Sequence, residues 1–184
     1  MRKNFKNVGF YPQPVLVIGT YDETGVPDAM NVGWGGLVGG AYVELNISKG
    51  HKTTENIRLK GAFTMSFADQ AHLVEADYVG LVSANREPRK LEKSGFHTSR
   101  SRHVDAPLID ELPVALECKL IKVNEDGNII GQIVNVSVDE AVLAGDGGID
   151  FDKFRPIAFE PARNGYHVLG ERVGSAFRDG AALD

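Results

Sequence analysis

The sequence predicts a mainly β protein, an antiparallel barrel flanked by short helices. Three observations lead there. Apolar and β-branched residues alternate with polar ones over short stretches, the two-residue period of a half-buried strand. Turn signals separate those stretches. Glycine is in surplus, with 21 among 184 residues and no Ser/Pro-rich low complexity beside it. Such a surplus serves tight turns, or a site where bare backbone approaches a ligand.

The elements follow in order. Pro14–Tyr21 is β-branched and reads as a strand. Asp22-Glu23-Thr24-Gly25 is a hairpin turn, and the chain returns through Asp28–Trp34. Tyr42–Ser48 alternates Tyr42, Glu44, Asn46 and Ser48 against Val43, Leu45 and Ile47. From His51 to Lys60 the period becomes helical, with Thr53 or Thr54 as the cap and Gly61 as the stop. Ala62–Ala68 is a strand carrying Phe63, Met65 and Phe67 on one face. His72–Ser83 reads as a helix, and Arg86–Ser94 as a short basic helix ended by Gly95. Val114, Leu116, Cys118 and Leu120 then alternate with Glu117 and Lys119. Asn124–Asn128 holds an Asp-Gly turn signal, and Ile130–Val138 returns. Late strands fall at Ile157–Phe159 and Tyr166–Leu169. Many strands joined by tight turns, with only short helices, point to an antiparallel barrel rather than alternating βαβ units.

The length, with 42% hydrophobic and 24% charged residues, suits one domain over residues 1–184. A net charge of −5 argues against nucleic acid. No apolar run is long enough for a membrane span. The basic stretch Met1–Phe10 leads into no apolar segment, so a cytoplasmic protein is expected. The single cysteine, Cys118, allows neither an internal disulfide nor a Cys-rich zinc site; its apolar neighbours make it a core residue.

Several motifs fail. In Asn31-Val-Gly-Trp-Gly-Gly-Leu-Val-Gly-Gly40, the last glycine of a dinucleotide fingerprint begun at Gly33 is replaced by Val38. Gly50-His-Lys-Thr53 lacks the Gly-Lys-Ser/Thr order of a P-loop. His51, His72, His97, His103 and His167 show no helical metal-ligand spacing, so no metal is expected. No nucleophile elbow is present.

Two segments survive. In Ser48-Lys-Gly-His-Lys-Thr-Thr-Glu-Asn56, hydroxyls and a lysine gather where a helix begins, which suits a phosphate monoester as well as plain capping. In Asn31-Val-Gly-Trp-Gly-Gly36, glycines flank the only tryptophan. They leave backbone open to a flat ring, while the Trp34 side chain is expected to pack inside. Two basic islands accompany them. Lys49, Lys52, Arg58 and Lys60 make the first. Arg86, Arg89, Lys90, Lys93, Arg100 and Arg102 make the second. Charge alone reads both as solvated helix faces.

In order and spacing, these segments resemble the flavin reductase-like family, whose members include flavoredoxin. The resemblance runs from Pro14-Val-Leu-Val through Asn31-Val-Gly-Trp-Gly-Gly, Lys52-Thr-Thr-Glu-Asn-Ile57 and Phe63-Thr-Met-Ser-Phe67. It continues through Tyr78-Val-Gly-Leu-Val-Ser83, Lys90-Leu91, Gly95-Phe96, Asp105–Lys119 and the tail Tyr166–Phe177. It implies an antiparallel split β-barrel, the FMN-binding split barrel, with short peripheral helices. It also implies FMN held noncovalently near the interface of a homodimer. Asn31, Val32, Gly33 and Trp34 match the strand along the isoalloxazine ring. Ser48, His51, Lys52, Thr53 and Thr54 match the stretch around the ribityl phosphate. Ser83, Ala84, Asn85 and Lys90 match a loop and helix start that close over the flavin. Ala84 stands where relatives carry glycine, Arg89 where they carry aspartate, and Gly33 where many carry a hydroxyl.

No catalytic side chain is expected, because the chemistry belongs to FMN N5. The implied activity passes electrons from NADH or NADPH through FMN to a flavin or a redox protein partner. A noncatalytic FMN carrier, sensor or interaction protein is the alternative, since fold does not determine activity. On this reading one basic island holds phosphate and the other attracts NAD(P)H or an acidic electron carrier.

Overall fold

The computed structural model describes residues 2–4, 6 and 11–183. Of the basic N-terminal stretch, residues 1, 5 and 7–10 lie outside the described residues. Strands β1 (Gln13–Pro14) and β2 (Leu16–Tyr21) were expected as one. The chain changes sheets between them. The Val15 amide donates to Ile157 in one sheet at 3.4 Å, and its carbonyl accepts from Ala68 at 2.9 Å. The Asp22 turn forms as expected: one carboxylate oxygen accepts from the amides of Thr24 and Val26 and from the Thr24 hydroxyl. Strand β3 (Pro27–Val32) returns alongside β2.

From there the expected boundaries shorten. β3 stops at Val32 rather than Trp34, and the chain resumes as β4 (Gly35–Leu37) and β5 (Tyr42–Leu45). β5 ends three residues early because its partner on one side, Ile129, is the first residue of the opposing strand; the Asn46 amide makes one more bond in register with β4, to Trp34 (2.8 Å), before the Ser48 carbonyl accepts from His51 (3.2 Å). Helix α1 (Lys52–Lys60) follows, and Gly61 stops it in the left-handed conformation, φ 64°. The threonine cap is corrected. The N-cap is His51, with no side-chain bond. Thr53 and Thr54 lie inside the first turn, both buried.

Strand β6 (Ala62–Phe67) and helix α2 (Leu73–Leu81) match their expected places. The basic helix is only α3 (Lys90–Ser94). Pro88 disfavours helix at Glu87, and residues 83–87 form a turn on the Ser83 carbonyl instead. Strands β7 (Thr98–Arg100) and β8 (Pro107–Ile109) were not expected. The long hairpin β9 (Val114–Val123) and β10 (Ile129–Val138) is present. So are the late strands β11 (Ile157–Glu160) and β12 (Gly165–Val168), preceded by a one-turn helix, α4 (Phe151–Phe154).

Seven strands form one antiparallel sheet in the order β3-β2-β6-β9-β10-β5-β4. It curls into a half-barrel, the split-barrel form with short helices outside. β1, β11 and β12 form a second sheet, and β7 with β8 a third. Strand alternation divides the core. Leu16, Ile18, Phe63, Met65 and Cys118 fill the inside of the curl. Val17 and Ala29, on the other face, pack against Ala76 and Val79 of α2. Burial pushes the Cys118 thiol up to about 12, as befits a core residue. Among the described residues, no helix is long and apolar enough to cross a membrane.

On the outer face of β9, Glu117 is fully buried. It accepts from the Ser101 and Ser137 hydroxyls and the Asn135 amide. Burial pushes this carboxyl up, but those hydrogen bonds outweigh it and leave the group below its usual 4.5. A carboxyl held low contributes stability above its unfolded pKa and loses it as pH falls through the folded value. Glu117→Gln should therefore cost about 1–3 kcal/mol at neutral pH, because amide donors would face donors. In urea titrations the gap to the unsubstituted protein should shrink as pH falls below 4.5.

Candidate functional site

β3 is an edge strand of the large sheet. Alternate backbone groups along such an edge have no neighbouring strand. α1 packs against β2 and β3, and α2 packs against β3. Between them opens a cleft of about 130 Å³. Asp28 and Met30 of β3 line it, with His51, Lys52 and Thr53 at the start of α1. Val79 to Ala84, at and beyond the end of α2, and Lys90 of α3 complete it. Gly80 lets α2 come close: a Cβ there would lie 2.8 Å from Cβ of Asn31.

A buried ion pair crosses the cleft. The Lys90 ammonium stands 3.2 Å from Oδ1 of Asp28, and both side chains are almost wholly buried. Lys90 also donates to the carbonyls of Val82 (3.2 Å) and Val79 (3.4 Å). Thr53 donates to Oδ2 of Asp28 at 3.3 Å. Oδ1 has the lysine's charge but no aligned hydrogen bond. The cationic character expected of Lys90 is thus balanced within the protein.

What remains for an anion is the opening of α1. No side chain caps it, and although the Thr54 amide donates to the His51 carbonyl at 3.0 Å, the amides of Lys52 and Thr53 and the positive end of the helix dipole are available. Lys52 stands there, tied only to the largely exposed Glu55 at 3.3 Å. This donor set fits a phosphate. At about 130 Å³ the cleft has room for a group of that size.

Six of the expected residues meet at the cleft: His51, Lys52, Thr53, Ser83, Ala84 and Lys90. Asn85 is adjacent, its amide group bonding the Gly50 carbonyl at 3.4 Å and so tying the 83–87 turn to the approach of α1. Thr54 is not at the cleft; its buried hydroxyl donates to the Ser48 carbonyl at 2.8 Å. The Ser48 side chain is exposed outside it. Asn31 bonds the Ala76 carbonyl at 2.9 Å and anchors α2, while Val32 belongs to the core. Gly33 and Trp34 follow β3. The expectation that the Trp34 ring packs inside is corrected: it is 55% exposed, beside a second groove with Gln13, Leu37 and Glu44. The interior beside it is filled at Gly35, where even a Cβ would lie 3.0 Å from Leu45 and 3.2 Å from Leu16 side-chain carbons. Asp28, Met30 and Val79 to Val82 were missed. They lie in a strand and a helix whose patterns carry only packing information.

Removing one member of a buried pair strands the other charge. Lys90→Met should therefore destabilise the fold by about 3–5 kcal/mol in urea. Adding Asp28→Asn should recover much of that loss, and additive losses would contradict the coupling.

Residues 8–159 match the family described as flavin reductase like domain. Among solved structures, the chain resembles the flavoredoxin of Desulfovibrio vulgaris (Miyazaki F). That match has TM-score 0.93 and 35% identity, covering 98% of this chain and 100% of that one. The flavoredoxin of Methanosarcina acetivorans superposes with TM-score 0.87 at 28% identity, over 100% and 99% of the two chains. An FMN-binding domain of a flavin reductases-like enzyme from Shewanella baltica shares the fold at TM-score 0.78 and 21% identity, over 89% of each chain. With the family matched across most of its length and the half-barrel reproduced throughout, this chain belongs to the flavin reductase-like family.

Proposed function

We propose that this protein binds FMN noncovalently and passes electrons from NADH or NADPH to a flavin or protein acceptor. The observation that carries the reading is the uncapped start of α1 opening into a cleft at the free edge of β3. When bound, FMN supplies hydride and single-electron chemistry at its ring. The protein's own contribution is position and polarity. Lys52, His51 and the first-turn amides of α1 hold the phosphate, with Ser83 closing from the far side. Asn31 to Trp34 offer backbone along the ring. Lys90 and Asp28 hold the walls at fixed spacing, so the site is built before the ligand arrives.

A homodimer is part of this proposal. In the tail, Val173, Phe177 and Leu183 are almost fully exposed, and a second copy would cover such apolar side chains. A cytoplasmic setting is likewise proposed, consistent with the thiol of Cys118.

The first test is the absorbance spectrum of the purified protein, then NADH or NADPH added without oxygen. A flavin spectrum bleached by either donor is expected. Bound FMN without turnover would favour a carrier, and a protein that takes up no FMN would reject the reading. Trp34 is the sole tryptophan, so titration with FMN should quench its emission. Lys52→Met should weaken FMN binding by about 1.5–3 kcal/mol, the range for a charge-assisted hydrogen bond. Riboflavin, which lacks the phosphate, should bind the variant and the unsubstituted protein equally; an equal loss for both ligands would reject the phosphate assignment.

A further inference from the structure

The two basic islands of the sequence do not survive as islands in the fold. Lys90 is buried at the cleft, and Lys93 pairs with Glu87. Arg100 and Arg102 instead meet Lys60, the last residue of α1, and Lys119 on β9. With His103 they surround a groove of about 390 Å³. Asp105 is the only exposed carboxylate in the lining, 3.1 Å from Arg100 and 3.9 Å from Lys60. Among the described residues, Arg102 and Lys119 have no ion-pair partner. In a chain of net charge −5, four full cations facing one groove are a concentration that charge balance does not require.

The groove is built on a fixed base. Ser101 donates to buried Glu117 and accepts from the amides of His103 (2.9 Å) and Val104 (3.0 Å). Val104 and Ala106 pack on Ala62. The cations therefore stand on a loop held by a buried carboxylate and a small apolar cluster.

We infer that this groove docks the carboxylate-rich face of a partner protein. Its lining holds no Phe, Tyr or Trp and no apolar side chain larger than Val104, so a nucleotide base would find nothing to stack on. Clustered carboxylates need no such support, and complementary charge guides their approach. The groove and the phosphate cleft lie at opposite ends of α1, a nine-residue helix about 14 Å long. That the partner exchanges electrons rests on the proposed flavin chemistry; the docking itself does not.

The test uses fluorescein-labelled decaglutamate and the full chain, read by fluorescence anisotropy. The peptide should bind at about 20 mM salt and weaken strongly by about 200 mM. Arg102→Gln with Lys119→Gln should lower affinity about tenfold with melting temperature unchanged. Lys122→Gln, an exposed cation outside the groove, should leave it unchanged. Equal binding by the double variant, or an equal loss with Lys122→Gln, would overturn the inference. Displacement of the peptide by equimolar tripolyphosphate would reassign the groove to small anions. A changed sedimentation coefficient in the double variant would reassign it to self-association. A protein that binds no flavin yet binds decaglutamate through these residues would sink the redox reading and leave this one standing.

Discussion

Lys90 and Asp28 are two charges that neither water nor a distant partner can satisfy. At 3.2 Å and nearly complete burial, each makes the other tolerable, and the surrounding structure follows from that need. The lysine's remaining donors reach the carbonyls at the end of α2, the kind of unpaired group every helix leaves at its C-terminus. The carboxylate's other oxygen accepts from Thr53 in the first turn of α1. One pair thus joins β3, α1, α2 and α3, elements separated by as much as 62 residues in sequence, and the space they enclose is the candidate site.

This arrangement redistributes charge. Lys90, the cation that the family resemblance sets where a loop and helix start close over the flavin, is spent on structure, while Lys52 and the backbone of α1 remain for an anion. A helix start without a side-chain cap leaves polar groups unsatisfied, a cost that a bound anion offsets. The same economy operates on the opposite face. Buried Glu117 organises the loop that brings Arg100 and Arg102 beside Lys60 and Lys119. In both places a buried carboxylate sets where exposed positive charge appears.

Much of the fold was legible because it is written in local periodicity. In the β9–β10 hairpin Val114, Leu116, Cys118 and Leu120 alternate on one side of an Asp-Gly turn and Val134, Val136 and Val138 on the other, a two-residue period that suits a strand and not a helix. Gly61 and Gly95 mark helix ends through their left-handed backbone. Errors arose where tertiary hydrogen bonds compete with propensity. Thr53 and Thr54 look like caps, but Asp28 and the Ser48 carbonyl claim their hydroxyls. Tyr42–Ser48 alternates correctly, yet loses its ladder beyond Leu45, where the opposing strand begins at Ile129. Trp34, alone among glycines, looks like a core residue and is half exposed.

By itself the sequence determined the β class, the main hairpins, the burial of Cys118, and the segments on which a family resemblance rests. All of these depend on neighbours within a few residues, where side-chain period and backbone freedom act directly. Only the tertiary structure decided which of those segments meet. It brought Asp28 to Lys90, left Ser48 and Thr54 away from the cleft, exposed Trp34, and exchanged members between the two basic islands. Electrostatic partnership depends on distance in space, and a chain folded into a curled sheet sets those distances by strand order rather than by residue number.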